Sequence, residues 1–323
     1  MKRLKPYAMI ALVAVLFASL PLLSASNQLI NFMVFALIVT LAAQGWNILG
    51  GYGGQFSFGH AAFFGTGAYV MAVLQVRFGI NPWIALPLGI AAGGAVGWVI
   101  GFLSFRAKLR GSYFALVTLA FAEVFRIVAN VTPMTGGAAG LLVRLDVNPL
   151  NFQFADRAVF YWLALGFVVA CLVLTRMIER SRFGAQLVAV RENEEAARAL
   201  GVDALAVKLR AISLSGAVTA AAGCLYVQKF LYLDASIAYG AWISVEALLA
   251  PIIGGIGTVF GPLLGAIVLL GLGEVTKQVL SAWTGGSIPG ADLVVFGALL
   301  ILTVAFSPRG MLGLIAKFTG KRP

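Results

Sequence analysis

Apolar runs of about 20 residues, long enough to cross a bilayer as helices at 1.5 Å per residue, recur from one end of this chain to the other. They fall at roughly 7–23, 29–49, 57–76, 83–103, 112–131, 158–178, 211–232, 242–257, 259–281 and 291–307. The expected fold is therefore all-α: a polytopic integral membrane protein of about ten transmembrane helices, with the whole chain 1–323 forming one membrane-spanning domain. Charge content agrees, because only 11% of residues are charged against about 25% in an ordinary soluble domain. The formal charge of +11 does not argue for nucleic acid. Most of the basic residues flank apolar runs, where they act as topology signals. Lys2, Arg3, Lys5, the Arg106–Lys108–Arg110 link, the segment around 179–210 and the tail with Arg309, Lys317, Lys321 and Arg322 share one face. That face is expected to be cytoplasmic, with both termini on it. MKRLK and the run to Leu23 imitate a secretory signal peptide. The run is long for one, so it reads as an uncleaved first helix.

One long polar stretch interrupts the pattern. Glu179–Arg210 reads ERSRFGAQLVAVRENEEAARALGVDALAVKLR and must lie in water. Its middle carries helix signals: Asn193 as an N-cap, Glu194 and Glu195 in the first turn where the helix dipole favours acids, and Gly201 at a left-handed C-terminal cap. Glu194 and Arg198 stand four apart, acid first, the better order for a surface pair. Ala196, Ala197, Ala199 and Leu200 would give this short helix a small face and a knob suited to a partner's groove.

Glycines supply two further signals. The stripes Gly89-Gly93-Gly97-Gly101 and Gly257-Gly261-Gly265 let helix backbones approach closely in lipid. The clusters Gly50–Gly54 and Gly254–Gly257 adjoin the runs 57–76 and 242–257, which are either full spans or broken, re-entrant ones. Either the clusters break a helix inside the membrane, where such backbone must be buried in protein or line a cavity, or they form tight turns at its surface. The segment 132–157 is the longest piece on the opposite side. It is an extracytoplasmic loop with room for a short surface helix and for contact with a partner.

No catalytic constellation stands out, so an enzyme is not expected, and no cofactor. His60 is the sole histidine, and Cys171 and Cys224 lie in apolar runs as buried small residues, so no metal site is expected. No P-loop or complete G-x-G-x-x-G is present. Ionisable groups inside spans are expensive and so informative. Glu123 with Arg126 and Glu274 with Lys277 read as pairs three apart, and Lys229 and Asp234 as groups snorkelling near the outer end of their span. Glu246 has no local partner in sequence. It faces either a cavity or another helix. Gln55, Ser57 and His60, beside the first glycine cluster, either line a substrate pathway with Glu246 or form a buried hydrogen-bond cluster.

Glu195-Ala196-Ala197, three residues, then Gly201 matches the EAA-x3-G core of the cytoplasmic loop of ABC importer permeases. Together with GGYGGQFSFGHAAFFGTGAY (50–69), FGAQLVAVRENEEAARALGV (183–202), GGIGTVFGPLLGA (254–266) and FSPRGMLGL (306–314), it resembles the branched-chain amino acid ABC permeases, most closely their M-type (LivM-type) subunit. Ile212-Ser213-Leu214-Ser215 stands where the general importer loop has Ile-x-Leu-Pro, which sets the chain apart from maltose-type importers. The resemblance implies a permease in the bacterial cytoplasmic (inner) membrane. Its partners would be a homologous second permease, two cytoplasmic ATPases and a periplasmic binding protein. It further implies that Gly184, Arg191, Glu192, Asn193, Glu195, Ala196, Ala197, Leu200 and Gly201 belong to the ATPase-coupling loop. Other readings stay open: a secondary carrier using ion or proton coupling through Glu246 or Glu123, a channel-forming or scaffold membrane protein, and a permease of the same superfamily for urea or another small solute.

Overall fold

A computed structural model describes residues 5–23 and 26–284, with isolated positions beyond at 290, 294, 297–298 and 311–313. All but three positions of the expected span at 291–307, and the basic residues of the tail, lie outside the described residues. In chain order the helices are α1 (Lys5–Ala18), α2 (Leu20–Leu23), α3 (Asn27–Trp46), α4 (His60–Phe78), α5 (Pro82–Arg106), α6 (Gly111–Val131) and α7 (Arg157–Arg180). They continue with α8 (Arg182–Glu192), α9 (Glu194–Ala199), α10 (Ala204–Phe230), α11 (Ala235–Ala238), α12 (Ala241–Gly254) and α13 (Gly261–Thr284). Eight segments are long and apolar enough to cross a membrane, and Tyr7–Leu23 is a shorter apolar one. The count of ten is thus reached only if the 291–307 run also spans.

The helices pack as the small residues dictate. Along α5, Gly97 would place a Cβ 2.7 Å from the carbonyl oxygen of Ile212, and Gly89 one 2.7 Å from Cys224 Sγ. Gly93 faces Ala220 on the same helix, α10. The first glycine stripe is therefore the α5–α10 seam, and any side chain there would drive the helices apart. In the second stripe, Gly261 and Gly265 abut the backbone at Gly255 and Ala250, closing α12 onto α13. Gly257 does not belong to that seam, because it sits in the intervening turn at φ +67°.

The run expected at 57–76 begins its helix at His60 and continues for 19 residues to Phe78, a full span. The run at 242–257 stops at Gly254, and α12 has 14 residues, about 21 Å at 1.5 Å each. Only with the short α11 before it does this segment approach membrane thickness.

Residues 132–156 form no regular surface helix. They make three single 3₁₀ turns and a two-residue strand, β1 (Leu141–Leu142). This strand pairs antiparallel with β2 (Tyr232–Leu233), a small departure from an all-α chain. Gln153, 7% exposed, pins the loop, accepting from the Asp146 N–H and donating to the Arg144 carbonyl, each at 2.8 Å. On α6 the expected pair forms, with Arg126 donating twice to Glu123 at 2.9 and 2.6 Å.

Candidate functional site

The polar segment folds as two helices set across the end of the bundle. Ser181 caps α8 by accepting from Gly184 N–H. A Cβ at Gly184 would fall on the carbonyl oxygen of Ile178, so glycine there lets α8 fold back tightly on α7. Asn193 ends α8 and starts α9, its Oδ1 accepting from the N–H groups of Glu195 (3.1 Å) and Ala196 (3.0 Å). The far end of α9 is a Schellman turn. Gly201 N–H donates to Arg198 O (2.9 Å) and Val202 N–H to Ala197 O (3.0 Å), with Gly201 at φ +83°.

The six-residue α9 is too short to persist alone, and its hold on the bundle centres on Glu194. One carboxylate oxygen accepts from Arg198 at 2.6 Å, the expected pair. The other accepts from Lys208 Nζ on α10 at 2.7 Å, with Arg110 Nε 3.6 Å away from the α5–α6 link. Burial works to raise the Glu194 carboxyl, but the Lys208 hydrogen bond and the charges of Lys208, Arg110 and Arg198 outweigh it. The net effect holds it below the usual carboxylate range. Lys208 is 4% exposed and lies 5.4 Å over the Phe105 ring. The expected i,i+4 spacing exposed only one of these three cations, since Arg110 and Lys208 come from other elements.

Alanine orientation corrects the expected docking face. Ala197 is 3% exposed and packs inward, whereas Glu192, Glu195, Ala196, Ala199 and Leu200 face outward. Leu200, 85% exposed, is the knob. Asn193 and Gly201 are exposed but structural in role, shaping the two ends of α9.

Arg191 points the other way, toward the membrane part. Its Nη1 donates to Gly51 O at 3.0 Å, while its Nε and Nη2 hold Glu192. Gly51 belongs to a π-helical turn, Asn47–Tyr52, that ends α3. The second glycine cluster meets it there. Asn47 Oδ1 accepts from Gly257 N–H (2.8 Å) and its Nδ2 donates to Thr258 O (2.9 Å). Gln44 Nε2 adds a bond to Val259 O at 2.8 Å. Gln44 and Asn47 are fully buried. Their spacing of three within an apolar run is the sequence signal for this joint. Both glycine breaks are thus packed against protein, buried at Gly50–Gly53 and Gly254–Gly255 and half-buried at Gly54 and Gly257, joined to each other, and strapped by α8. Arg191→Met is expected to raise amide exchange across 50–56 about tenfold. The substitution removes one hydrogen bond from a charged donor to that turn, a loss on the order of 1.5 kcal/mol. Unchanged exchange there would show that the strap carries nothing.

The other four candidates split. Ser57 and His60 are fully buried. His60 Nε2 lies 2.9 Å from Ser215 Oγ on α10, and Ser57 O accepts from Trp46 Nε1 at 2.8 Å. In this conformation both belong to the core. Gln55 and Glu246 are half-buried. Ser244 Oγ accepts from Ala61 N–H at 2.8 Å, which brings the α12 turn before Glu246 against the start of α4.

A family model described as "Branched-chain amino acid transport system / permease component" matches residues 28–304. The chain belongs to this permease family. Among its relatives, the Escherichia coli protein named "High-affinity branched-chain amino acid transport system permease protein LivM" is 28% identical, over 89% of this chain and 70% of its own length. The corresponding LivH of the same organism is 26% identical over 89% and 95%. A "Fructose import permease protein FrcC" from Rhizobium meliloti is 25% identical over 73% and 65%. Membership in the permease family accords with the multi-pass helical bundle and with the M-type resemblance of the glycine and α9 motifs.

Proposed function

We propose that this chain is the transmembrane permease subunit of an ABC importer for branched-chain or related amino acids, driven by separate ATPases that dock on α8–α9. The observation that carries this reading is the build of α9. Its Glu195, Ala196 and Leu200 stand outward on a helix capped at both ends and clamped through Glu194 to α10 and the α5–α6 link. A helix held that way passes a push to the spans instead of yielding locally. Arg191 supplies a second connection, to the joined glycine breaks. An ATP-driven change at the docked face then biases the bundle between two states, provided the partner contacts differ between them. On this reading a homologous second permease, a pair of ATPases and a periplasmic binding protein complete the transporter. The α8–α9 end and both termini face the cytoplasm, and Gln55 and Glu246 lie toward the substrate path. The likeness to a fructose permease favours, as a second reading, another small solute moved by the same machinery.

Uptake into vesicles reconstituted with the cognate ATPases and binding protein tests both. Labelled leucine, isoleucine and valine are expected to accumulate with ATP, and urea and fructose are not. Accumulation driven by an ion gradient without ATP would instead establish a secondary carrier. Within that assay, Ala196→Arg is expected to abolish uptake by placing bulk and charge on the docked face. Gly201→Val should also lose most uptake, because a β-branched residue at this positive φ costs about 1 kcal/mol or more and redirects the chain after α9. Both variants should insert normally. Wild-type uptake by both, with ATPase bound stoichiometrically, would refute the docking assignment.

A further inference from the structure

At the end of the spans remote from α8–α9 lies a cavity of about 510 Å³, within the range of small-ligand sites. It opens between the start of α7, the end of α10 and the 145–154 part of the loop. Two cations line it. Arg157 is the first residue of α7 and is exposed, and Lys229 stands in the last turn of α10. Lys229 Nζ donates to Asn31 Oδ1 at 2.8 Å and lies 5.7 Å over the Phe160 ring. Among the described lining residues there is no carboxylate. Gln228 lines the same cavity, is 3% exposed, and has neither its amide oxygen nor its amide nitrogen hydrogen-bonded. A buried amide left without partners destabilises the fold, and this one stands beside two uncompensated positive charges. The remaining wall is mainly apolar, with Phe152, Phe154, Phe160, Phe230 and Leu231.

We propose that this cavity binds an oxyanion carried on an apolar body, and that its occupant is an anionic membrane phospholipid. Arg157 and Lys229 hold the phosphate, the Gln228 amide behind them turns into the cavity to donate an N–H to it, and the acyl chains leave over the exposed Phe230 side. Charge complementarity selects the phosphate. The position selects the lipid, because Arg157 opens α7 and Lys229 lies in the last turn of α10, and cations at the ends of spanning helices reach the headgroup layer. This inference does not depend on the transport assignment, and its test does not use uptake.

The full-length chain in nanodiscs of dioleoyl phosphatidylcholine, titrated with dioleoyl phosphatidylglycerol, is the direct test, read by thermal denaturation and by lipid retained after detergent extraction. Phosphatidylglycerol is expected to raise the midpoint of the wild type and to be retained in preference to phosphatidylcholine. Arg157→Gln with Lys229→Gln should weaken that retention about thirtyfold, the loss of two ion pairs at the upper value for exposed ones. Gln228→Leu guards against misfolding as the explanation. Exchanging an unpartnered amide for an apolar group should leave the phosphatidylcholine midpoint unchanged or higher, yet reduce the response to phosphatidylglycerol. Equal retention and equal midpoint shifts in wild type and both variants would overturn the proposal. A carboxylate solute such as leucine, added in pure phosphatidylcholine, would overturn the lipid assignment if it alone produced the Arg157- and Lys229-dependent shift.

Discussion

Gly265→Leu is expected to prevent stable packing of α12 on α13, with a loss of more than about 3 kcal/mol, at the upper end of overpacking costs. At that position a Cβ would fall on the carbonyl oxygen of Ala250, a backbone atom that no rotamer change can move aside. Gly254, facing Gly261 from the other helix, closes the same seam. The turn these helices enclose carries Gly257, Thr258 and Val259, which Asn47 and Gln44 bind. Forcing the seam open therefore also detaches the second glycine break from α3. Purified protein in detergent should lose several degrees or more of thermal midpoint, and a disulfide engineered across α12–α13 should form poorly. Gly166→Leu on α7 is the control, since nothing lies within 4 Å of a Cβ there. Comparable damage from both substitutions would show that the α12–α13 seam has no special closeness.

The Glu194–Lys208 pair is expected to respond asymmetrically to truncation. Glu194→Ala leaves Lys208, whose side chain is 5% exposed, buried without its carboxylate, and should cost about 3 kcal/mol. Lys208→Met keeps the apolar stem against Phe105, and leaves Glu194 with Arg198 and Arg110. It should cost about 1.5 kcal/mol, the lower value for a hydrogen bond to a charged group, because Glu194 keeps two cations and no buried charge is left alone. The double substitution should recover most of the Glu194→Ala loss, because no unpaired buried charge is left. Proteolytic release of α9 and thermal denaturation would measure each variant. Additive losses in the double variant would refute the pairing. The pH dependence has a definite sign. Glu194 is held below its ordinary value of 4.5 in the folded chain, so its contribution is complete above that value. It disappears as pH falls below 4.5 and through the depressed folded-state value. Detachment of α9 on acidification should therefore precede loss of the bundle, and Glu194→Ala should abolish that early phase.

The amino-acid sequence alone determined what depends on neighbours along the chain. Runs of about 20 apolar residues set the spans, because hydrocarbon admits little else. Asn193 and Gly201 set the ends of α9, since caps act over three or four residues. The Gly89–Gly101 stripe declared a close helix seam, because repetition every four residues keeps small groups on one face. Glu194 with Arg198 was legible for the same reason. What only the tertiary structure decided are pairings between distant segments. It chose α10 as the partner of the glycine stripe, turned Ala197 inward, and brought Lys208 and Arg110 to Glu194. It also placed Arg191 on Gly51, 140 residues away, and Asn47 on Gly257, 210 away. No local propensity encodes these contacts. Each depends on where a helix lies after the whole bundle has packed, since a buried polar group takes whichever partner the packing leaves within hydrogen-bond reach.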